Sequence, residues 1–232
     1  MAAIDPSLVA GLSLFRGFAT DQIKDILSIA RSARFPKDGH VFDQGAEAQS
    51  FFLLLHGHVR AVKVTPAGEQ VVVRYVSPGE LFGVAPAIGL ATYPATAIAA
   101  VDSVVLIWPA SAWPELIKKY PSLASGTLQM VGARLQEAHT RVIEMSTEEV
   151  ERRVARALLR LANQAGRKVD RGIEIDFPIS RQNIAEMTGT TLHTVSRILS
   201  AWAQAGIVES GRQRVTLRDA HRLMMIAEAA PD

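Results

Sequence analysis

The spacing of apolar residues changes twice along the chain and divides it into three regions. From Leu8 to Ala30, apolar residues recur every three or four positions, which predicts helix. From Arg34 to Trp108, short runs of β-branched and aromatic residues alternate with turns containing Gly or Pro, which predicts a barrel or jelly roll of short strands. After Pro109 the helical period returns, with only short strand-like segments after it. The pattern therefore predicts an α+β protein with a β-rich first half and a helical second half.

The segment from Pro178 to Val208 predicts two short helices joined by a tight turn. Ser180 and Thr191 are placed to cap the two helices, and Gly189 between them can adopt the positive φ of a sharp turn. Ala185 supplies the small residue that closely crossing helices require. The second helix repeats apolar residues at Leu192, Val195, Ile198, Leu199 and Trp202. This is the pattern of a DNA-binding helix-turn-helix, although an ordinary helical hairpin would give a similar one.

The remaining positions of the second helix form a polar face that predicts contact with DNA. They are His193, Thr194, Ser196, Arg197 and Ser200. An arginine flanked by hydroxyl groups suits the edge of a guanine and the neighbouring phosphates. After Gly206, two short apolar runs flank Ser210-Gly211 and predict a hairpin wing, which makes Arg212 and Arg214 available to phosphates.

Charge is distributed in a way that agrees with this prediction. The formal net charge is +2, but residues 151–232 carry 13 Arg and Lys against 9 Asp and Glu, whereas the first 150 residues carry 12 against 14. The basic half of the chain is therefore the half that contains the helix-turn-helix. So small an excess supports phosphate contact without establishing it.

A long helical run that begins at Pro121 carries a narrow apolar stripe. The stripe consists of Leu128, Val131, Leu135, Ala138, Val142 and Met145. Its steps alternate between three and four residues, as in a coiled coil, whereas a helix packed on its own domain would show a broader stripe. We therefore expect a homodimer through this helix, with packing inside one chain as the alternative. The flanking Arg134, Glu137, Arg141 and Glu144 are expected to lie in solvent.

Composition and motifs exclude several classes of function. The chain has no cysteine, which excludes disulfides, cysteine-ligated iron–sulfur clusters and thiol catalysis. Charged residues interrupt the N-terminal apolar run, and no run approaches the ~20 residues of a membrane span, so we expect a cytoplasmic protein with no membrane partner. No nucleotide-binding glycine loop, nucleophile elbow, metalloprotease helix or paired-carboxylate motif is present in the sequence. We therefore predict that the protein is not an enzyme.

A β domain, a long helix and a winged helix-turn-helix, in this order, resemble the Crp/Fnr family of bacterial transcription regulators. The resemblance covers nearly the whole chain, and its most specific segments are FFLLLHGHVRAVKVTPAGEQVVVRYVSPGELFG and ISRQNIAEMTGTTLHTVSRIL. It implies a cyclic-nucleotide-binding-like barrel at residues 1–120, a dimerisation helix at 121–147 and a winged helix-turn-helix domain at 148–232. RNA polymerase is an expected partner, and Ser111 to Lys119 is one surface loop available to it.

The resemblance also implies how DNA is read. Ser196 and Arg197 match the pair that reads a guanine in a TTG-type half-site, and two-fold symmetry implies a palindrome with half-sites roughly 10 bp apart. His193 stands where most members carry Glu. Because neutral His can donate or accept, the preference at that base pair stays open. Arg181 is expected near the DNA backbone, and Thr191 and Thr194 complete the predicted contact set.

Departures from the family pattern argue against two of its effectors. Cyclic-nucleotide binders place a Glu after the corner glycine and an Arg-Ser pair about ten residues later, whereas here Val84 follows Gly83 and the later pair is Pro94-Ala95. The hydroxyl-bearing pair that grips the base matches Ala138-His139. Cyclic AMP is therefore disfavoured, and a four-cysteine oxygen-sensing cluster is impossible.

Within the family, the chain looks most like the NnrR and DNR-type regulators of denitrification, through TYPATA, LQEAHTRVIEMSTEEVERRVARALLRLA and FPISRQNIAEMTGTTLHTVSRIL. That likeness implies nitric oxide sensing through haem. The expected apolar pocket between barrel and long helix is lined by Leu81, Phe82, Val84, Ile88, Tyr93 and Leu135. His139 is the first candidate for the axial ligand and His56 and His58 are the second, although a lone His is more often a surface or hydrogen-bonded residue. The alternative is a regulator of the same fold without haem, controlled by its abundance or by another small metabolite.

Overall fold

The computed structural model describes residues 4–229, and contacts divide the chain into two compact units, Met1–Leu135 and Gln136–Asp232. The division falls inside helix α4 (Pro121–Thr147), which begins and ends where the long apolar stripe predicts it. The predicted three-part division at residues 120 and 147 stays a prediction. Each unit is described by itself.

The first unit opens with short helical elements separated by turns, within the region from Leu8 to Ala30 that the apolar period predicts to be helical. Helix α1 (Ser7–Ala10) is followed by a 3-10 turn at Ser13–Phe15 and by helix α2 (Thr20–Ser28). The interruption has a local cause. Gly17 adopts a φ of +87°, and the Ala19 amide donates a hydrogen bond of 2.9 Å to the Gln22 side chain, which starts a new helix.

The β-rich region forms two antiparallel four-stranded sheets, in the orders β1-β8-β3-β6 and β2-β7-β4-β5. The strands are β1 (Arg31–Phe35), β2 (His40–Phe42), β3 (Ser50–His56), β4 (Val59–Val64), β5 (Gln70–Val76), β6 (Leu81–Phe82), β7 (Thr96–Ala99) and β8 (Ser103–Pro109). The predicted barrel or jelly roll of short strands is therefore confirmed as a β-sandwich of jelly-roll type, whose two sheets are not closed into a barrel. Among the described residues, strands pair only within their own sheet.

Two apolar clusters stabilise this unit. One lies between the sheets and contains Phe52, Phe82, Tyr93 and Ile107. The other packs α2, α3 (Trp113–Lys119) and the start of α4 on the sheet that contains β3 and β8. The segment Ser111 to Lys119, expected as a surface loop, is therefore mostly helix, and it buries Trp113 and Leu116.

The second unit is a helical domain with one small sheet. After α4 the elements are α5 (Val150–Ala165), β9 (Gly166–Val169), β10 (Gly172–Ile175), α6 (Arg181–Thr188), α7 (Leu192–Gln204), β11 (Val208–Gly211), β12 (Arg214–Leu217) and α8 (Ala220–Glu228). The sheet order is β11-β12-β10-β9, so the wing predicted after Gly206 is confirmed, and β9 is an additional strand. Glu149 occupies the N-cap position of α5, and the Thr147 hydroxyl at the end of α4 donates to the Ile143 carbonyl.

Candidate nucleic-acid interface

Local capping fixes the two helices of the interface as the sequence predicts. The Asn183 amide donates to the Ser180 hydroxyl at 3.0 Å, and the Thr194 amide donates to the Thr191 hydroxyl at 3.2 Å. Gly189, in the turn between α6 and α7, has a φ of +61°, in the left-handed region that glycine adopts without strain. Ala185 is buried where the helices meet. The caps and the turn of the helix-turn-helix are therefore formed by residues close together in the sequence.

Helix α7 is held by one buried face. Val195, Ile198, Leu199 and Trp202 are buried, and the Trp202 indole N–H donates to Glu151 at 2.8 Å. Leu192, expected on the same face, has instead 48% of its surface exposed. The difference arises because Leu192 is the first residue of the helix, where the preceding turn no longer covers it.

The polar face of α7, predicted to point into solvent, is only partly open. His193, Arg197 and Ser200 are exposed, whereas Thr194 and Ser196 are half-buried and border the buried face. Within the described residues, neither His193 nor Arg197 has a hydrogen-bond or ion-pair partner. An exposed and unpaired guanidinium on a helix held rigidly from behind is available to a guanine edge or to a phosphate.

The wing and the start of α6 supply three further cations. Arg212 is exposed in the turn between β11 and β12. Arg214 lies 3.5 Å from Glu174, so part of its charge is compensated inside the protein. Arg181 donates to the Ser210 hydroxyl at 3.2 Å, which joins the start of α6 to the wing. Of these three, Arg212 is the freest to bind phosphate.

Helix α4 exposes apolar side chains along the predicted stripe. Leu128, Leu135 and Val142 are 68%, 53% and 62% exposed in the single chain, and Met145 is also exposed. Val131 packs partly on the core of the first unit, and Ala138 is half-buried. Ile143 is exposed as well, although the sequence pattern did not assign it to the stripe.

Glu144 was expected in solvent but is buried. Its two carboxylate oxygens accept from Arg160 of α5 at 2.7 and 2.9 Å. Arg156 of the same helix lies 3.7 Å from Glu144 and 3.0 Å from Glu148. Arg153 donates to the carbonyls of Glu148 and Thr188, at 2.7 and 3.1 Å. These arginines join the end of α4 to α5 and to the end of α6.

The residues predicted to line a haem pocket are not brought together. Leu81 and Val84 belong to the cluster beneath α2 and α3, whereas Phe82 and Tyr93 belong to the cluster between the sheets. Ile88 and Leu135 are exposed. The Tyr93 hydroxyl donates to the Ser50 carbonyl at 2.7 Å, and burial raises the pKa of this hydroxyl.

The interior of the first unit is filled by its own side chains. The rings of Phe42 and Tyr93 stack at 3.9 Å between centroids, and Phe52 and Phe82 pack beside them. Beside β6, Arg134 of α4 donates to the Leu81 carbonyl and lies 3.7 Å from Glu80. In this conformation the lining residues therefore do not fit a macrocycle.

The candidate iron ligands differ in their exposure. His56 and His139 are exposed, and His58 is buried at the start of β4. His139 belongs to the second unit, whereas His56 and His58 belong to the first. Within residues 4–229, no group of three or more His, Asp or Glu side chains is placed to hold a metal ion, and no helix has the length and apolarity needed to cross a membrane.

The fold and the exposed face of α7 define a winged helix-turn-helix DNA-binding protein with an N-terminal β-sandwich domain. Comparison with known proteins matches residues 152–226 to the Crp-like helix-turn-helix domain and residues 32–120 to the cyclic nucleotide-binding domain. The cyclic AMP receptor protein of Thermus thermophilus is 32% identical over 217 residues, which cover 94% of this chain and 97% of that protein. The chain belongs to the Crp/Fnr family of DNA-binding transcription regulators.

Two further comparisons give similar coverage at lower identity. The transcriptional activator protein FnrA of Stutzerimonas stutzeri is 26% identical over 214 residues, covering 91% of this chain and 86% of FnrA. The structure of FixK2 from Bradyrhizobium japonicum superposes with a TM-score of 0.76 at 25% identity and covers 88% of this chain and 100% of FixK2. Members of this family are typically dimers.

Proposed function

We propose that the protein is a homodimer that reads a palindromic operator with one α7 helix from each protomer. The observation that carries the proposal is the pair of exposed, unpartnered side chains His193 and Arg197 on a helix whose opposite face is fixed in the core. Arg197 reads a guanine beside Ser196, and Arg212 holds the wing on the phosphate backbone. Arg181, Thr191, Thr194 and Arg214 complete the contact set.

The exposed stripe of α4 joins the two protomers. A row of apolar side chains at coiled-coil spacing is costly in water and is buried when two copies pair along it. An interface with two-fold symmetry places the two α7 helices in equivalent orientations, and such a pair requires an inverted repeat with half-sites roughly 10 bp apart.

The proposed effector is nitric oxide, and cyclic AMP is the effector that the sequence argues against. Cyclic AMP is disfavoured, because the positions that would hold its phosphate and ribose carry Val84, Pro94 and Ala95, which offer neither a cation nor a carboxylate. Nitric oxide sensed through haem, with control of denitrification or nitrosative-stress genes, rests on the likeness to the NnrR and DNR-type regulators. This hypothesis requires the predicted lining residues to rearrange, because they do not form a haem pocket in this conformation; haem would then supply an iron centre for the gas, and His139 is the candidate axial ligand.

The second hypothesis is a regulator without haem, controlled by its abundance or by another small metabolite. The stacked Phe42 and Tyr93 and the placement of Arg134 beside Leu81 favour it, because a flat cofactor would have to displace them. RNA polymerase is proposed as a partner in either case. The exposed side chains of α3, such as Glu115 and Lys118, are available to it.

An absorption titration with haem separates the two effector hypotheses. The purified protein is titrated with haem and then with nitric oxide, and binding to a TTG-type palindrome is followed in parallel by gel shift. A stoichiometric Soret band, lost in His139→Ala, together with DNA binding that requires the gas supports the haem hypothesis. DNA binding without any saturable band contradicts it and supports the regulator without haem. Absence of binding to any DNA under either condition would contradict the proposed function itself.

A further inference from the structure

Helix α7 carries one exposed large apolar residue, Leu192, at its leading end. Among the described residues of this helix, the other large apolar side chains, Val195, Ile198, Leu199 and Trp202, are all buried. Leu192 is 48% exposed and is followed directly by the exposed His193. An apolar side chain is therefore exposed at the start of the helix, where the buried face borders the polar face.

The position of Leu192 on the helix directs it toward a bound base pair. Residues four apart share a helix face, so Leu192 lies above Ser196 in the same way that His193 lies above Arg197. Side chains of a helix lean toward its N-terminus, and in a helix-turn-helix the N-terminal residues of the second helix contact base edges in the major groove. Leu192 is thus at the point of the helix that enters the groove.

The chemistry of a leucine side chain limits what it can recognise. It has no donor or acceptor, so it can bind neither a phosphate nor the hydrogen-bonding edge of a base. The C5-methyl group of thymine is the apolar feature that the major groove presents. We propose that Leu192 is a specificity-determining residue that contacts the methyl group of one thymine in each half-site. This inference rests on the proposed reading of DNA by α7.

Replacing thymine with deoxyuridine removes the methyl group and leaves base pairing unchanged. The operator is first selected from random DNA with the full-length wild-type protein, and each thymine is then replaced in turn in one half-site. Dissociation constants are measured by fluorescence anisotropy. At one thymine position, wild type is expected to lose about fourfold in affinity, the equivalent of one methyl group returned to water.

The variant Leu192→Ala assigns that loss to the side chain. It is expected to bind the thymine and deoxyuridine probes equally at this position, while keeping the wild-type melting temperature. Met225→Ala is the matched control, because Met225 is 57% exposed on α8, outside the helix-turn-helix, and this variant should keep the full discrimination of wild type.

Two further outcomes separate the inference from the function on which it rests. The role of Leu192 is overturned if wild type binds its selected site but loses no affinity when any thymine is replaced. It is also overturned if the methyl dependence survives in Leu192→Ala. Either result leaves the helix-turn-helix reader intact. Wild type that selects no DNA sequence overturns the inference and the proposed function together.

Discussion

Replacing Glu144 with Gln removes a buried charge from the end of α4 while keeping the size of the side chain. The Glu144 side chain is 5% exposed, and both of its oxygens accept from Arg160. Breaking a fully buried ion pair on one side costs about 3–5 kcal/mol. Arg160 is 39% exposed and can regain water, so we expect a smaller loss of about 2 kcal/mol in the free energy of unfolding.

Native-state hydrogen exchange of residues 150–165, followed across urea concentrations by mass spectrometry, measures this loss in the second unit alone. Glu137→Gln is the matched control, because Glu137 lies two turns earlier on the same helix and is exposed. We expect the control to change stability by less than about 0.5 kcal/mol. If the amides of residues 150–165 exchange equally fast in Glu144→Gln and in the control at every urea concentration, the ion pair with Arg160 does not hold α4 to α5. The reasoning would then be wrong.

Three other predictions address DNA reading, assembly and pH. Arg197→Ala should lower affinity for the selected operator by about 10- to 100-fold and leave binding to random DNA nearly unchanged, as measured by anisotropy; an equal loss on both DNAs would contradict guanine reading. Leu135→Glu should shift sedimentation from dimer to monomer, whereas Gln136→Glu should not, because Gln136 lies outside the stripe. Hydrogen bonds from Lys119, and secondarily from Tyr120, hold the pKa of Asp25 below its ordinary 3.8. Asp25→Asn should therefore be less stable than wild type above pH 3.8, and this difference should vanish as the pH falls through the lowered pKa; a difference that persists in acid would contradict the assignment.

Local signals in the sequence were sufficient for the helix-turn-helix. Ser180 and Thr191 cap helices that begin within three residues of them, and Gly189 forms the turn between these helices. Because the interacting residues are so close in the sequence, the sequence alone predicts these contacts. Strand β5 at Gln70–Val76 was likewise bounded by turn residues on both sides. The cap of α8 is equally local, because the Asp219 side chain accepts from the Arg222 amide three residues later.

Features that depend on distant residues were not predictable. A pattern of short strands fits a closed barrel and an open sandwich equally well, because closure depends on pairing between edge strands. Glu144 flanks an apolar stripe, a position typical of solvated residues, and its burial accompanies ion pairs with arginines of the next helix. Leu192 fits the helical period, but the period does not show that the end of a helix is uncovered. The placement of Leu81 and Val84 in one apolar cluster and of Phe82 and Tyr93 in another likewise depends on distant residues, and the haem site stays a prediction.

The most direct test of the account is selection of DNA by the full-length protein from a random library, followed by sequencing. The account predicts an inverted repeat with a guanine in each half-site and centres roughly 10 bp apart. Loss of that guanine preference in Arg197→Ala would connect the site to α7. Enrichment of a single half-site, a direct repeat, or no sequence at all would contradict the proposal of a symmetric dimer that reads DNA through α7.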